Sequence, residues 1–283
     1  MTETWTVLSI LQWTADYFRH QGIESARLDA ELLLADILEL DRVGLYLHFD
    51  RPLNKSEQAD YRALVKRRST REPLAYILGK SEFWSLPIKV SPAVLVPRPD
   101  TEVLVEEALA KIDKACRLLD IGIGSGAIAI AIAHEKNEVM INGIDISPEA
   151  VAMAVENARF NGVSDRVNFT VGNLENLSGG PYELIVSNPP YIPHDDLAGL
   201  MPEVREYEPA GALDGGTDGL DAYRAILRQA PDQLVAGGWL LVEIGIGQAE
   251  DVSQLFTEAG FVDIKIRDDY GGIPRVVTGM KKK

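Results

Sequence analysis

The first part of the chain carries apolar residues at a helical spacing. Two mostly apolar stripes consist of Ile10, Leu11, Trp13, Thr14, Tyr17 and Phe18, and of Ala30, Leu33, Leu34, Ile37 and Leu38. They predict two amphipathic helices, and Asp29 and Glu31 lie near the start of the second, where negative charge is favourable. A third helix is predicted from Lys55 to Thr70, because its basic end suits a helix C-terminus. We therefore expect a helical domain at residues 1–80.

The pattern changes between residues 81 and 99. Two short runs, Phe83-Trp84 and Ile88-Lys89-Val90, flank Ser85-Leu86-Pro87 and predict a β-hairpin. Residues 81–99 are therefore expected to connect two domains. Asp100 or Thr101 is expected to cap the next helix, since short polar side chains accept hydrogen bonds at helix N-termini.

From Arg117 onwards, predicted strands alternate with predicted helices. The strand candidates are Arg117–Ile121, Val139–Ile144, Val167–Val171, Leu184–Ser187, Trp239–Ile244, Val262–Ile266 and Arg275–Thr278. The helix candidates include Ala127–His134, Glu149–Phe160, Leu220–Gln233 and Ala249–Glu258. This alternation predicts an α/β fold with a doubly wound, mostly parallel seven-stranded sheet over residues 100–283. Only Asp268–Pro274 separates the last two strands, so we expect a hairpin there and one antiparallel strand.

Charge and composition narrow the classes of partner. The 283 residues include 28 Lys+Arg and 43 Asp+Glu, which gives a formal net charge of -15. An acidic chain repels nucleic-acid phosphates, so no direct nucleic-acid partner is expected. The single cysteine, Cys116, excludes an intramolecular disulfide, and the four histidines lack metal-ligand spacing. Because no apolar run is long enough to span a membrane and no basic signal-peptide start is seen, a soluble cytoplasmic protein is expected.

One polar motif directly follows the fourth predicted strand. Asn188-Pro189-Pro190-Tyr191 ends the sheet ladder, because proline has no N–H to donate. The motif presents an amide, a proline carbonyl and an aromatic ring at the carboxyl end of a strand, where open α/β sheets bind ligands. Such a set suits a planar –NH2 group, as in an amide or a nucleobase. The alternative is a proline-stiffened strand exit with a surface tyrosine.

A glycine-rich turn follows the first strand of the alternating region. Gly122-Ile123-Gly124-Ser125-Gly126 runs from that strand into a helix, and its glycines allow a tight turn and a close ligand approach. Asp145 lies about 20 residues later at the end of the next strand, where an acid accepts hydrogen bonds from ribose hydroxyls. Together these features predict a nucleotide-type pocket. Nicotinamide binding and a turn without any ligand remain the alternatives.

Together, three motifs make the chain recognisable. Asp120-x-Gly122-x-Gly124-Ser125-Gly126, Asp145 and Asn188-Pro189-Pro190-Tyr191 resemble the class I S-adenosylmethionine methyltransferases that act on planar nitrogen. More narrowly, the chain is similar over nearly its whole length to the release factor glutamine methyltransferase family (PrmC/HemK). The segments that carry this narrower resemblance are Arg71–Gly79, Phe83-Trp84, Val96–Glu102, Glu208-Pro209, Ala212–Gly216 and Asp218–Leu220. The connector Pro97–Glu102 is highly specific, whereas the Asn-Pro-Pro-Tyr motif alone is shared with adenine methyltransferases.

The resemblance implies a Rossmann-like class I methyltransferase domain that uses S-adenosylmethionine and no metal. It implies methylation of the glutamine in the Gly-Gly-Gln motif of peptide chain release factors, with residues 1–80 recognising the factor. The implied cofactor-binding residues are Gly122, Ile123, Gly124, Ser125, Gly126, Asp145, Asn173 and Asn188. The implied catalytic residues are Asn188, Pro189, Pro190 and Tyr191.

The resemblance also suggests individual roles. Asn188 and the Pro189 carbonyl are expected to accept the two N–H groups of the substrate amide, while Tyr191 stacks on the amide plane. His194 could take the released proton, although a solvent-exposed loop histidine is the alternative. The loop from Glu208 to Leu220 has no assigned role.

One position departs from the family pattern. After the third strand the family usually carries an acidic residue followed by a hydrophobic one, whereas this chain has Gly172-Asn173-Leu174. Either Asn173 or Leu174 is expected to contact the adenine of the cofactor.

Two other functional classes remain open from the sequence. An adenine methyltransferase acting on nucleic acid would need base flipping and a positive groove, which the net charge opposes. A nonenzymatic dinucleotide-binding or partner-binding module would leave Asn188 and Tyr191 without a role. Methyl transfer to release factor, DNA and RNA distinguishes these alternatives.

Overall fold

The computed structural model describes residues 5–174 and 177–283. The chain divides into two compact units. One comprises the described residues up to Gly79 together with Pro202–Tyr207, and the other comprises Lys80–Met201 and Glu208–Lys283. Within the described ranges, no helix is both long and apolar enough to cross a membrane.

The helices and strands of the described chain have the following bounds. The helices are α1 (Val7–His20), α2 (Ala26–Leu38), α3 (Arg42–Leu47), α4 (Lys55–Ser69), α5 (Leu74–Leu78), α6 (Glu102–Lys111), α7 (Ala127–Glu135), α8 (Pro148–Phe160), α9 (Pro202–Tyr207), α10 (Asp221–Gln233) and α11 (Ala249–Glu258). The strands are β1 (Lys80–Phe83), β2 (Leu86–Lys89), β3 (Cys116–Ile121), β4 (Val139–Asp145), β5 (Val167–Val171), β6 (Tyr182–Ser187), β7 (Leu234–Glu243), β8 (Phe261–Asp268) and β9 (Pro274–Lys281).

The helical unit contains α1 to α5 and α9. The two predicted apolar stripes supply much of its core, including Ile10, Phe18 and Leu33. Trp13 is an exception, since it is half exposed and stacks on Tyr17 with ring centroids 5.4 Å apart. The short helices α3 and α5 have no counterpart among the helices predicted from the sequence.

Asp29 and Arg68 lie in the end turns of their helices, as predicted, and both are also buried inside the helical unit. Asp29 is buried, and its Oδ2 accepts a hydrogen bond from Arg68 Nε at 2.7 Å. Arg68 is buried as well, and its Nη2 donates to Glu203 of α9 at 3.0 Å. Arg71 adds a second contact, because its Nη2 donates to Glu203 Oε2 at 2.6 Å. These ion pairs attach α9 to α2 and α4, although Glu203 lies 135 residues beyond Arg68.

The predicted β-hairpin is present, but its turn is shifted. Strands β1 and β2 pair antiparallel from Lys80↔Lys89 to Phe83↔Leu86. The turn residues are Trp84 and Ser85, which have positive φ angles of 55° and 56°. Leu86 and Pro87 therefore belong to a strand and not to the turn, because this pair of left-handed residues closes a two-residue hairpin.

The second unit contains a seven-stranded sheet in the order β5-β4-β3-β6-β7-β9-β8. Pairs among β3 to β7 are parallel, and β9 runs antiparallel to both neighbours. The predicted terminal hairpin and single antiparallel strand are therefore confirmed, as is the α/β fold. The chain order reverses direction between β3 and β6, and a crevice at that point, at the carboxyl ends of the strands, is where such sheets bind ligands.

Candidate active site

The loop after β3 exposes its backbone to a cavity. Gly122 and Gly124 have φ angles of 74° and 52°, and a Cβ added at either glycine would meet no atom within 4 Å. At Gly126, φ is 81° and a Cβ would lie 3.0 Å from the Ala154 Cβ of α8. The first two glycines thus leave room for a ligand against the main chain, whereas the third allows close packing between helices.

Asp145 holds this loop from the end of β4. Its Oδ2 accepts a hydrogen bond from the Gly124 N–H at 2.9 Å, and its Oδ1 accepts one from the Ser147 N–H at 2.9 Å. Each carboxylate oxygen has two lone pairs, so both oxygens can accept a further hydrogen bond from a ligand hydroxyl. Asp145 also lines the cavity.

The cavity at the switch point has a volume of about 640 Å³, within the range of small-molecule sites. It brings together most of the residues proposed from the sequence, namely Gly122, Ile123, Gly124, Ser125, Asp145, Asn173, Leu174, Asn188, Pro189 and Pro190. Gly126, Tyr191 and His194 are not among its lining residues. Both Asn173 and Leu174 line it, so either residue can reach a ligand there.

Asn188 stands at the end of β6 against two buried polar residues. Its Nδ2 donates to Thr101 Oγ1 at 3.1 Å, and Thr101 is buried. Thr101 occupies the expected N-cap position of α6, but its side chain makes no capping hydrogen bond. Glu243, at the end of β7, is 1% exposed, and burial raises its pKa to about 7, although nearby Thr101, the charge of Arg275 and nearby Asn188 favour its ionised form.

Tyr191 packs at the side of the site. Its ring lies against the core cluster of the sheet, and burial raises the pKa of its hydroxyl to about 12. Its carbonyl oxygen accepts a hydrogen bond from Gln248 Nε2 at 2.9 Å. Gln248 Oε1 in turn accepts from the Gly245 N–H at 2.9 Å, so this amide fastens the exits of β6 and β7 to each other.

The loop from Glu208 to Leu220 borders the cavity. Arg98 Nη2 donates to both oxygens of buried Glu208, at 2.7 Å and 2.6 Å, and Pro209, Gly211 and Ala212 line the cavity. The loop is also joined to the chain after Tyr191, since the Ile192 N–H donates to the Leu213 carbonyl at 3.0 Å. The ion pair and the backbone contacts give this loop the role of a cavity wall.

His194 lies at the protein surface, in the segment after Tyr191 that contacts the loop from Glu208 to Leu220. It is exposed, and its Nδ1 is 2.8 Å from Asp214 Oδ2. This hydrogen bond and the negative charge of Asp214 raise the pKa of His194. The imidazole is therefore engaged with Asp214 and not with the cavity.

Several contacts that support the site could not be predicted from the sequence, although Thr101 lies in the connector Pro97–Glu102. Thr101, Glu243 and Gln248 reach Asn188 or Tyr191 from distant parts of the chain. Asn157 of α8 is fully buried and joins the hairpin to the glycine loop, because its Nδ2 donates to the carbonyls of both Lys89 and Ser125 at 2.9 Å. None of these residues has a spacing relative to its partner that could have indicated the contact.

The fold is shared with solved methyltransferase structures. The crystal structure of a methyltransferase from Pyrococcus furiosus aligns with a TM-score of 0.54 at 17% identity, covering 81% of this chain and 100% of that one. A ribosomal protein L11 methylase from Lactobacillus delbrueckii subsp. bulgaricus aligns with a TM-score of 0.51 at 22% identity, covering 69% and 86%. The sheet order, the glycine loop and these alignments show that the chain has the fold of class I methyltransferases, a class that uses S-adenosylmethionine.

Sequence comparison narrows the class to one family. The model of the PrmC N-terminal domain matches residues 9–79, and that of the methyltransferase small domain matches residues 99–201. A release factor glutamine methyltransferase from Geobacter sulfurreducens is 53% identical, covering 98% of this chain and 97% of the relative. Its counterpart from Vibrio cholerae is 42% identical, again covering 98% and 97%. The chain therefore belongs to the release factor glutamine methyltransferase family.

The residues around the cavity fit S-adenosylmethionine. The open faces of Gly122 and Gly124 leave the main chain accessible, as the methionine part of the cofactor requires. Asp145 offers charged acceptors for ribose hydroxyls, while Ile146 and Leu174 offer apolar surface for a base. The cavity thus offers main-chain groups, charged acceptors and apolar surface, which suit the three chemical parts of this cofactor.

Proposed function

We propose that this protein transfers the methyl group of S-adenosylmethionine to the side-chain amide nitrogen of the glutamine in the Gly-Gly-Gln motif of peptide chain release factors. The main observation behind this proposal is the position of Asn188. Its amide borders the cavity, while its Nδ2 donates a hydrogen bond to Thr101 Oγ1. Its Oδ1 is thereby available to accept an N–H from a substrate amide. Family membership supports the choice of substrate, since the relatives are release factor glutamine methyltransferases.

The cofactor would be held by Gly122–Gly126, Asp145 and Asn173. When bound, it supplies an electrophilic methyl group. Gly126 would act through the shape of the loop, since it lies outside the cavity lining. Asp145 would bind ribose hydroxyls while it keeps the Gly124 amide in place.

The substrate amide would be oriented by Asn188 and the Pro189 carbonyl. An amide nitrogen is a weak nucleophile, so catalysis depends on holding it in line with the methyl group and excluding water. Two acceptors that take both N–H groups leave the nitrogen electron density facing the methyl group. Pro190 would stiffen this segment, and Tyr191 would support it from the side, where its carbonyl is held by Gln248.

The direct test is labelled methyl transfer to purified release factor, with DNA and RNA as competing acceptors. We expect label in the release factor and its loss when the Gly-Gly-Gln glutamine is changed to alanine. Label in adenine of a nucleic acid would instead support the adenine methyltransferase alternative. Label in no acceptor would contradict the proposal.

Asp145→Ala is expected to weaken S-adenosylmethionine binding by roughly 1.5–3 kcal/mol, because the ribose hydroxyls lose a charged acceptor. Calorimetric titration of the folded variant measures this change. Asp145→Asn keeps one acceptor oxygen and should lose less affinity. Asp165→Ala is the matched control, since Asp165 is exposed, with its carboxylate near Arg166. An unchanged affinity in folded Asp145→Ala would remove Asp145 from the site.

We also propose the division into a helical recognition domain at residues 1–80, a hairpin connector at residues 81–99 and a methyltransferase domain at residues 100–283. The family model at residues 9–79 supports a distinct N-terminal domain. Its exposed apolar side chains offer a surface for the release factor: Leu47 is 72% exposed and Phe49 is 52% exposed.

Leu47→Asp combined with Phe49→Asp is expected to raise the KM for release factor about tenfold or more, since desolvated apolar anchors dominate protein interfaces. The calorimetric affinity for S-adenosylmethionine should stay unchanged. Val262→Asp, at an exposed apolar position on β8, controls for a general effect of such substitutions. Steady-state kinetics on intact release factor provide the measurement, and an unchanged KM would exclude this surface from recognition.

A further inference from the structure

The orientation of the Asn188 amide is decided by its buried neighbours. An asparagine side chain can present either its oxygen or its NH2 group to a given partner. Here Nδ2 donates to Thr101 Oγ1 at 3.1 Å, and the buried Glu243 carboxylate lies close enough to Asn188 for the amide to favour its ionised form. If the amide were turned over, its Oδ1 would face these groups and its NH2 would face the cavity.

When Glu243 is ionised, the hydrogen-bonding groups around Asn188 allow only one orientation of its amide. A carboxylate can only accept hydrogen bonds, so the groups facing it must be donors. Thr101 has a single hydroxyl proton, and its place beside Glu243 favours the ionised carboxylate, as a hydroxyl that turns its proton towards the carboxylate does. With that proton committed, Thr101 Oγ1 is left as an acceptor. Both neighbours therefore demand the NH2 group of Asn188.

Burial of Thr101 and Glu243 strengthens the preference for this orientation of the Asn188 amide. Thr101 is 4% exposed and Glu243 is 1% exposed, so water has little access to satisfy a wrongly turned amide. A buried acceptor that faces another acceptor loses a hydrogen bond and adds repulsion. Glu243 Oε2 has no hydrogen-bond partner within the described residues, so a further donor would be favourable there.

We propose that Thr101 and Glu243 are positioning residues that turn the Asn188 amide so that Oδ1 faces the substrate amide. This inference rests on the proposed function and deepens it. Glu243 does not line the cavity, whereas Thr101 borders it, and both residues act on Asn188 in this role. Thr101 and Glu243 thereby determine that the site accepts an –NH2 group, since a reversed Asn188 would present a donor to it.

The ionisation of Glu243 controls the arrangement. Its charged and titratable neighbours are Arg275 on β9, Asp100 before α6, Tyr223 on α10 and Tyr191 after β6. Arg275 favours the carboxylate, Asp100 opposes it, and both tyrosines stay neutral because burial raises the pKa of each hydroxyl. A protonated Glu243 can donate and so tolerates the reversed amide.

The test uses single-turnover methyl transfer to intact release factor at saturating S-adenosylmethionine. Glu243→Gln and Thr101→Val are each expected to slow the rate about tenfold, as one lost hydrogen bond to a charged group would. Thr101→Ser restores the hydroxyl and should stay within about threefold of wild type. Cofactor affinity should change less than twofold in all three variants. Thr278→Val is the matched control, because this buried β9 hydroxyl has no hydrogen-bond partner in the described chain.

Two further readouts separate positioning from a structural role. In an Asn188→Ala background, Glu243→Gln should cause no additional loss, because the effect passes through Asn188. The wild-type rate should rise between about pH 6 and pH 8 as Glu243 ionises, and the Glu243→Gln rate should not.

Three results would overturn the positioning role: a wild-type rate in Glu243→Gln, an equal additional loss in the Asn188→Ala background, or identical pH profiles. The proposed function is tested separately by labelled methyl transfer from the wild-type protein to release factor. A slow Asn188→Ala with a fast Glu243→Gln retains the role of Asn188 and rejects the positioning pair. A fully active Asn188→Ala rejects both the role of Asn188 and the positioning pair, whereas absent transfer by the wild-type protein rejects the proposed function.

Discussion

Asn188→Ala is expected to slow single-turnover methyl transfer to the release factor by about 100-fold or more, because misplacement of a reacting group costs this much. The substitution removes the uncharged acceptor that orients the substrate amide and leaves a substrate N–H unpaired in the cavity. S-Adenosylmethionine binding should be affected far less, since the glycine loop and Asp145 remain. Rapid-quench measurement at saturating cofactor isolates the transfer step.

Asn188→Asp provides the informative companion variant. It keeps an acceptor oxygen, but it places a second carboxylate beside buried Glu243, which is 1% exposed. Like charges at such a site raise a carboxyl pKa and disfavour the arrangement, so rescue should be poor. A rate within a few-fold of wild type for Asn188→Ala would mean that the motif only ends the strand. The methyltransferase mechanism would then lose its central residue.

The sheet was predictable because its signal is local. Buried parallel strands are short apolar runs bounded by turns, and all seven strand predictions overlap an observed strand. The predicted ends of a strand were less accurate where glycines interrupt its apolar run. β7 begins at Leu234 and not at Trp239, because Gly237 and Gly238 interrupt the apolar run without ending the pairing.

The helical unit shows what local patterns cannot reveal. The charges of Asp29 and Arg68 suit helix ends, and the sequence offers no reason to pair them. In the structure they meet each other and Glu203, which comes from 135 residues beyond Arg68. Assignment of Pro202–Tyr207 to the helical unit depends on these contacts, so no composition shift along the chain could have indicated it.

The candidate site was predictable to a similar extent. Residues at the carboxyl ends of strands, such as Asp145 and Asn188, meet at one edge of a parallel sheet by topology alone. Their supporting partners do not follow from topology. Thr101 lies 87 residues from Asn188, and its hydroxyl serves that amide and not the helix cap that the sequence suggests.

Asp120 gives a second large expected effect, this time on stability. It is fully buried, and neither carboxylate oxygen has a hydrogen-bond partner within the described residues. Burial, with a smaller contribution from the negative charge of Asp145, raises its pKa to about 7. The folded state therefore holds a proton that the unfolded chain has already released at lower pH. Its contribution to stability is present below the unfolded pKa and is lost as the pH rises towards 7.

Asp120→Asn removes this titration. Between about pH 4 and pH 8 the wild-type protein should lose about 4 kcal/mol of unfolding free energy that the variant does not lose, from a shift of roughly three pKa units. Denaturant titrations without cofactor at each pH measure the difference between the two proteins. Glu243 and the other titrating groups are present in both proteins, so their contributions to the pH dependence of stability cancel in this difference.

We compare the slopes of unfolding free energy against pH. Any pH-independent change in stability caused by the buried amide of Asp120→Asn therefore does not affect the result. Asp113→Asn is the matched control, because Asp113 is exposed and its removal should leave the pH dependence unchanged. Parallel curves for wild type and Asp120→Asn would mean that Asp120 is ionised at neutral pH in the folded protein. Its carboxylate would then need a polar partner, and the floor of the cofactor cavity beside Ile121 and Gly122 would be the place to find one.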